Sequence, residues 1–243
     1  MKIQFDIDLE NLKHMVIDMA TAVEEMINLS NRILMEKDSS LVEKAYQIED
    51  TVNHMEVEIE QFCVTLIARH QPTATDLRLL VCVIKMINQL ERLGDLAINI
   101  AKRYNEFMKI PDYLLPRDIR FLVMLSTQMV KESIMAFIRL DAEKARQVCA
   151  MDDEVDRLNK KLWKDFIKNM IDSDIDLETG FEMLMAGKQY ERIGDCATNI
   201  AEEVVYYLKG QNIKHHFAAE ELEESSSGNE VSLPDEKKSP GEM

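Results

Sequence analysis

The sequence predicts an all-α protein of two tandem three-helix bundles followed by a disordered acidic tail. Three observations carry that prediction. Glycine and proline number only 7 and 5 in 243 residues, too few for the turns a sheet protein needs. Apolar residues make up 46% of the chain and recur at spacings of three and four almost throughout. Residues 89–101 read QLERLGDLAINIA and residues 189–201 read QYERIGDCATNIA, identical at nine of thirteen positions, which marks an internal duplication.

The first helix is expected from about Leu9 to Lys37, with Leu12, Met15, Met19, Val23, Met26 and Ile33 on its apolar face. Asp38-Ser39-Ser40 reads as a turn that also caps the second helix. That helix carries Ile48, Val52, Met55, Ile59, Phe62 and Leu66 until Gln71-Pro72 stops it. Thr73 or Thr75 then caps a third helix reaching about Met108. The two prolines of IPDYLLPRD mark the domain boundary, placing one bundle at 1–110 and the other at 111–216. Three further helices follow, from Pro116 to about Leu140, from Ala142 to Ile171, and from Leu177 to Leu208, with Gly210 as terminator. Residues 217–243 hold too much Ser, Glu, Gly and Pro to bury a core, so they are expected to be disordered. From Ala218 onward this tail has a net charge of −6.

The whole chain has a net charge of −16, which repels phosphate backbones and anionic membrane surfaces. Nucleic-acid binding and membrane insertion are therefore not expected. The polar N-terminus carries no signal peptide, and the apolar run Leu79 to Ile84 is too short to span a bilayer. Cys63, Cys82, Cys149 and Cys196 lie far apart in apolar helical patterns, so they read as buried free thiols of a cytoplasmic protein.

The recurring chemical feature is an acid followed four residues later by another. It occurs as Glu91/Asp95, Glu191/Asp195 and Asp152/Asp156, and incompletely as Glu49/Asn53. On a helix, positions i and i+4 lie about 40° apart, so each pair projects from one face beside the apolar stripe. Packing along those stripes would bring two acidic edges together at one rim of each bundle. Like charges so arranged repel one another unless a cation sits between them. Oxygen-only donors suit Mg²⁺, Ca²⁺, Mn²⁺ or iron rather than thiophilic ions. Arg92 and Arg192 offer the plainer alternative of ordinary surface pairs with Asp95 and Asp195. Gly94 and Gly194, inside strong helices, read as points of close helix approach. No nucleophile motif, P-loop, HExxH or Glu-x-x-His occurs, so nucleophilic arrangements and the usual four-helix di-iron site are missing.

ERLGDLAINIA and ERIGDCATNIAEEVVYYLKG resemble the two signature segments of the PhoU family of phosphate-signalling proteins. RHQPTATDLRLLV at 69–81 and KGQNIKH at 209–215 are similar to two further family segments, so the resemblance covers about residues 5–216. It implies a dimeric cytoplasmic regulator that is not an enzyme. Such a regulator represses phosphate-starvation signalling and phosphate uptake by coupling a phosphate ABC transporter, through its ATPase component, to a sensor histidine kinase. It also implies metal ions (Fe, Mn, Mg or Zn) at Glu49, Glu91, Asp95, Asp152, Asp156, Glu191 and Asp195, with Asn53 a departure from the family pattern. The competing readings are a metal-free helical scaffold whose acidic rims bind basic partner surfaces, and a carboxylate-bridged metalloenzyme.

Overall fold

The computed structural model describes residues 2–110, 117–171 and 177–213. Among them every regular element is a helix: α1 (Lys2–Glu36), α2 (Ser40–His70), α3 (Ala74–Ala101), α4 (Tyr104–Phe107), α5 (Arg117–Arg139), α6 (Ala142–Ile171) and α7 (Leu177–Lys209). Helices α1–α3 form one three-helix bundle and α5–α7 the other. The tail and the proposed domain boundary lie outside the described residues.

The periodicity names the core correctly. Leu12, Met19, Val23, Met26 and Ile33 of α1, Val52, Ile59 and Leu66 of α2, and Met86, Leu90, Leu93 and Ala97 of α3 are all buried. Met15, Ile48, Met55 and Phe62 pack against them from the edge. Helix α5 is apolar enough to cross a membrane by length and composition, with mean hydropathy 1.4, but half of that stretch is buried in the second bundle. Its stripe from Ile119 through Leu122, Met129 and Ile134 to Phe137 packs against α6 and α7.

Local chemistry sets the helix ends, not always through the expected residues. Within the expected Asp38-Ser39-Ser40 turn it is Asp38 that closes the α1–α2 connection: its Oδ1 accepts from the backbone N–H of Ser40 at 3.0 Å and from the Ser40 hydroxyl at 2.6 Å, while Ser39 makes no side-chain cap bond. Thr73 occupies the cap position of α3 without making a side-chain cap bond. Asp141 caps α6, accepting from the N–H groups of Glu143 and Lys144 at 3.1 and 2.9 Å. Gly210 ends α7 at φ 69°, the left-handed conformation that glycine adopts without steric cost.

Two boundaries differ from the sequence expectation. Helix α1 begins a full seven residues before Leu9, because its first turns are held against the end of α2. The Phe5 ring lies 4.8 Å from the His70 ring, and Asp8 Oδ2 is 3.4 Å from His70 Nε2. Helix α3 stops at Ala101 instead of running to Met108. The chain turns at Lys102-Arg103 and restarts as α4, which buries Phe107 and Ile110 and lets Arg103 Nη1 reach Glu182 on α7 at 2.5 Å.

Helices α3 and α7 join the bundles and run antiparallel. Asn199 Nδ2 donates to Gln89 Oε1 at 3.2 Å, Lys85 Nζ to Glu203 Oε2 at 3.1 Å, and Arg78 Nε to the carbonyl of Tyr207 at 3.4 Å. The two signature segments thus lie at the centre of the molecule, back to back.

Candidate functional site: two carboxylate strips

The glycines inside the signatures let α2 and α6 approach closely. A Cβ on Gly94 would meet Val52 Cγ1 at 3.6 Å and Met26 Sδ at 3.4 Å; on Gly194 it would meet Val155 Cγ1 at 3.2 Å and Met129 Sδ at 3.7 Å. The same three partners, a valine, a methionine and a glycine, therefore recur in both repeats. This close packing sets the acidic edge of α2 beside that of α3, and the edge of α6 beside that of α7.

In the first bundle Glu49, Glu56, Glu91 and Asp95 act on one another. Burial raises the pKa of Glu91 above the usual carboxylate range, and the charges of Asp95, Glu56 and Glu49 add to the effect. Burial likewise raises Glu56, followed by Glu60 and Asp95, against a 3.5 Å hydrogen bond donated by Asn88. Lys102 Nζ lies 4.0 Å from Glu49 Oε1. Asn53, in the place of the missing acid, is exposed. Glu56, one turn further along α2, brings a carboxylate to the strip instead. The i, i+4 pattern missed it because it stands seven residues from Glu49. Glu56 and Glu60 also border a cleft of about 360 Å³ walled by Lys85, Asn88, Gln89 and Asn199.

The second bundle assembles Asp152, Asp156, Glu191 and Asp195. Asp195 is an exposed residue, yet burial of its carboxyl and the charges of Glu191 and Asp152 push its pKa up to about 6. Asp152 is raised too, by burial first and then by Asp156, Asp153 and Glu191, while the Thr198 hydroxyl donates to it at 3.2 Å and opposes the rise. Lysines temper this strip more than the first. Lys160 Nζ is 2.7 Å from Asp156 Oδ2, and Lys188 pairs with Glu191. The cation acting on Asp195 is Lys188, not the Arg192 that sequence spacing offers.

The donor chemistry of both strips suits a hard cation, since carboxylates stripped of water repel one another until a positive charge arrives. Among the described residues, however, no three His, Cys, Asp or Glu side chains converge into a closed cage. The acids form open ladders along helix faces, so a cation held there would complete its shell with water.

Three of the four cysteines are buried as expected, but Cys149 is only half-buried, because it sits at the edge of the α6 stripe. None is in a disulfide.

The PhoU domain family model matches this chain twice, over residues 16–104 and 119–204, one match on each bundle. The chain belongs to the PhoU family. It is 34% identical over 215 residues to the phosphate-specific transport system accessory protein PhoU homologue of Pseudomonas aeruginosa, covering 87% of this chain and 88% of that one. With the phosphate-specific transport system accessory protein PhoU of Escherichia coli it shares 31% identity over 225 residues, 93% of both chains. The crystal structure of the Pseudomonas aeruginosa PhoU superposes with a TM-score of 0.80 at 33% identity, over 85% of this chain and 99% of that one. A phosphate transport system regulatory protein PhoU from Streptococcus pneumoniae gives 0.77 at 26% identity, over 86% and 98%. The two PhoU matches coincide with the duplicated signatures, so each carboxylate strip belongs to one PhoU unit.

Proposed function

We propose that this chain is the accessory protein of a phosphate-specific transport system and a negative regulator of phosphate-starvation signalling and phosphate uptake. It acts without catalysis in the cytoplasm, as a homodimer that couples the ATPase component of a phosphate ABC transporter to a sensor histidine kinase. The observation supporting the transport role is the near full-length match to named accessory proteins, 93% of both chains in one case. A strain lacking the gene should express phosphate-starvation genes in phosphate-rich medium. Unchanged expression there overturns the regulatory reading.

The same proposal assigns hard metal ions to the strips. Asp152, Asp156, Glu191 and Asp195 would hold one in the second bundle, and Glu49, Glu91 and Asp95, with Glu56, one in the first. Iron, manganese, magnesium and zinc are the ions considered, and the absence of His and Cys from the strips makes zinc the poorest match. Such an ion supplies positive charge that lets the mutually repelling carboxylates stay ionised. The supporting observation is that Asp195, Glu91, Glu56 and Asp152 are all raised, first by burial and then by the charge of neighbouring carboxylates.

The lysines paired with Asp156, Glu191 and Glu49 favour a second reading, a metal-free scaffold whose acidic rims dock basic surfaces. Elemental analysis of protein purified without chelator separates the two. Stoichiometric metal that disappears in a folded Glu91→Ala, Asp95→Ala, Glu191→Ala, Asp195→Ala variant supports cation sites. No metal in either, even after Fe, Mn or Mg is added back, leaves the scaffold.

A further inference from the structure

Helix α5 ends on a left-handed residue that is not glycine. The N–H of Asp141 donates to the carbonyl of Ala136 at 2.9 Å, and that of Leu140 to the carbonyl of Phe137 at 3.3 Å. This pairing puts Leu140, at φ 55°, in the position that glycine usually takes. Gly210 holds the same conformation at the end of α7 without strain, whereas the Cβ of Leu140 crowds the backbone. Burial does not offset that strain, since Leu140 is 50% exposed.

The internal repeat shows what such a residue can do. Lys37 follows α1 as Leu140 follows α5, with φ 57°, and its Nζ donates to the carbonyl of Ile110. It thus fastens the chain where it leaves the first bundle. Leu140 stands where the chain leaves the second. It lines a hollow of about 530 Å³ together with Arg139, Arg146, Leu208 and Lys209. On its other side it borders an apolar pocket of about 200 Å³ walled by Ile17, Leu79 and Phe137.

In a chain of net charge −16, this end is basic. Among the described residues Arg139 and Lys209 have no ion-pair partner. The acids beside them are engaged: Asp141 caps α6, and Glu143 lies 4.0 Å from Arg146. Gln211 accepts from Arg146 Nη2 at 3.4 Å, two residues before the described chain ends at Ile213. Residues 220–224 read EELEE, four glutamates around one leucine. Glu220 is seven residues beyond Ile213, a span of at most about 25 Å, so this run stays within reach of the basic end.

We propose that residues 220–224 fold back over the end of the second bundle in the same chain. Their glutamates pair with Arg139, Arg146 and Lys209, and Leu222 packs on Leu140. The strained, half-exposed leucine then does for the second exit what Lys37 does for the first. The segment is an intrachain cover for this end of the bundle.

The test is digestion of the native full chain with a glutamate-specific protease, each rate being normalised to that in a synthetic peptide of residues 214–243. Glu230 and Glu236 lie outside the segment and serve as the internal reference. Cleavage after the glutamates of 220–224 should be roughly tenfold slower or more than at the reference sites, since a docked segment is cut only while released. High salt should abolish the protection, and so should Arg139→Glu combined with Lys209→Glu. Leu140→Gly should abolish it without lowering the melting temperature, because glycine suits φ 55°. Its effect therefore cannot come from a folding defect. Equal normalised rates at all these glutamates in the wild type overturn the proposal. So does protection that Leu140→Gly leaves unchanged, or protection that fades on dilution, which would mean that the tail covers a second copy.

Discussion

The hydroxyl of Tyr190 on α7 donates a 2.7 Å hydrogen bond to Oδ1 of Asn31 on α1, across the join between the bundles. Asn31 passes the chain on, its Nδ2 donating to Thr127 Oγ1 on α5 at 3.1 Å. The Tyr190 ring is completely buried, and burial holds its phenol far above the usual range. The phenol therefore keeps its proton across the neutral range. Tyr190→Phe keeps the ring and removes only the donor, so it should cost about 1 kcal/mol in urea unfolding, with an unchanged denaturant slope. An equal loss at pH 6 and pH 9 is expected. No loss at either would mean that the bundles are joined by apolar packing and the α3–α7 pairs alone.

The paired glycines should respond differently to the same substitution. At Gly94 the nearest neighbour of an added methyl is the sulfur of Met26 at 3.4 Å, the movable part of a flexible side chain. At Gly194 it is a methyl of Val155 at 3.2 Å, on a side chain with one strongly preferred rotamer in a helix. Alanine gains about 1 kcal/mol of helix propensity at either site, and overpacking costs about 1–3 kcal/mol where the neighbour cannot yield. Gly94→Ala should thus be neutral or slightly stabilising, and Gly194→Ala destabilising by about 1 kcal/mol, in thermal melts run side by side. The opposite order would show that α6 is free to shift away from α7.

Thiol labelling offers a third check on the packing. Cys149 is half-buried, with its thiol pushed up to about 11 by burial and by Glu202 and Asp152. Cys63, Cys82 and Cys196 are fully buried and also raised, Cys63 to about 12. Thiolate is the reacting species, so all four should label slowly. Cys149 should react first with an aromatic disulfide reagent at pH 8, the others only on unfolding. Peptide mapping that finds Cys82 labelled first would place α3 and α7 further apart than this structure has them.

What could be read from the chain follows from which forces are local. Helix registers and core positions were legible because a spacing of three and four residues directly encodes the buried face, as Met19, Val23 and Met26 show. The break after Ala101 was not, since Lys102-Arg103-Tyr104 contains no glycine or proline; its causes are tertiary, the pull of Glu182 on Arg103 and the burial of Phe107. The duplicated signatures disclosed Glu91, Asp95, Glu191 and Asp195, and the i, i+4 rule added Asp152 and Asp156. Glu56 escaped because it is offset by seven residues from Glu49, and because only the packed helices reveal which acid among many reaches the strip.

Asp195 makes the electrostatic state of the second strip measurable. Its pKa of about 6 in the folded protein stands above the ordinary 3.8, so between those values the folded state holds a proton that the unfolded state has lost. Stability contributed by this group is therefore greatest at low pH, declines as pH rises through the window, and is at its minimum above about pH 6. Asp195→Asn removes the dependence, and in chelator it should be more stable than the wild type at pH 7. That advantage should shrink on acidification through this window and vanish only well below the ordinary value of 3.8, where the wild-type carboxyl is protonated in both states. A cation bound to the strip at pH 7 replaces the proton's function, so saturating Mn²⁺ should stabilise the wild type and narrow the gap between the two proteins. An Asp195→Asn variant that is less stable at pH 7, by an amount independent of pH, would instead mean that Lys188 already neutralises this carboxylate and that the second strip has no charge left for a metal to satisfy.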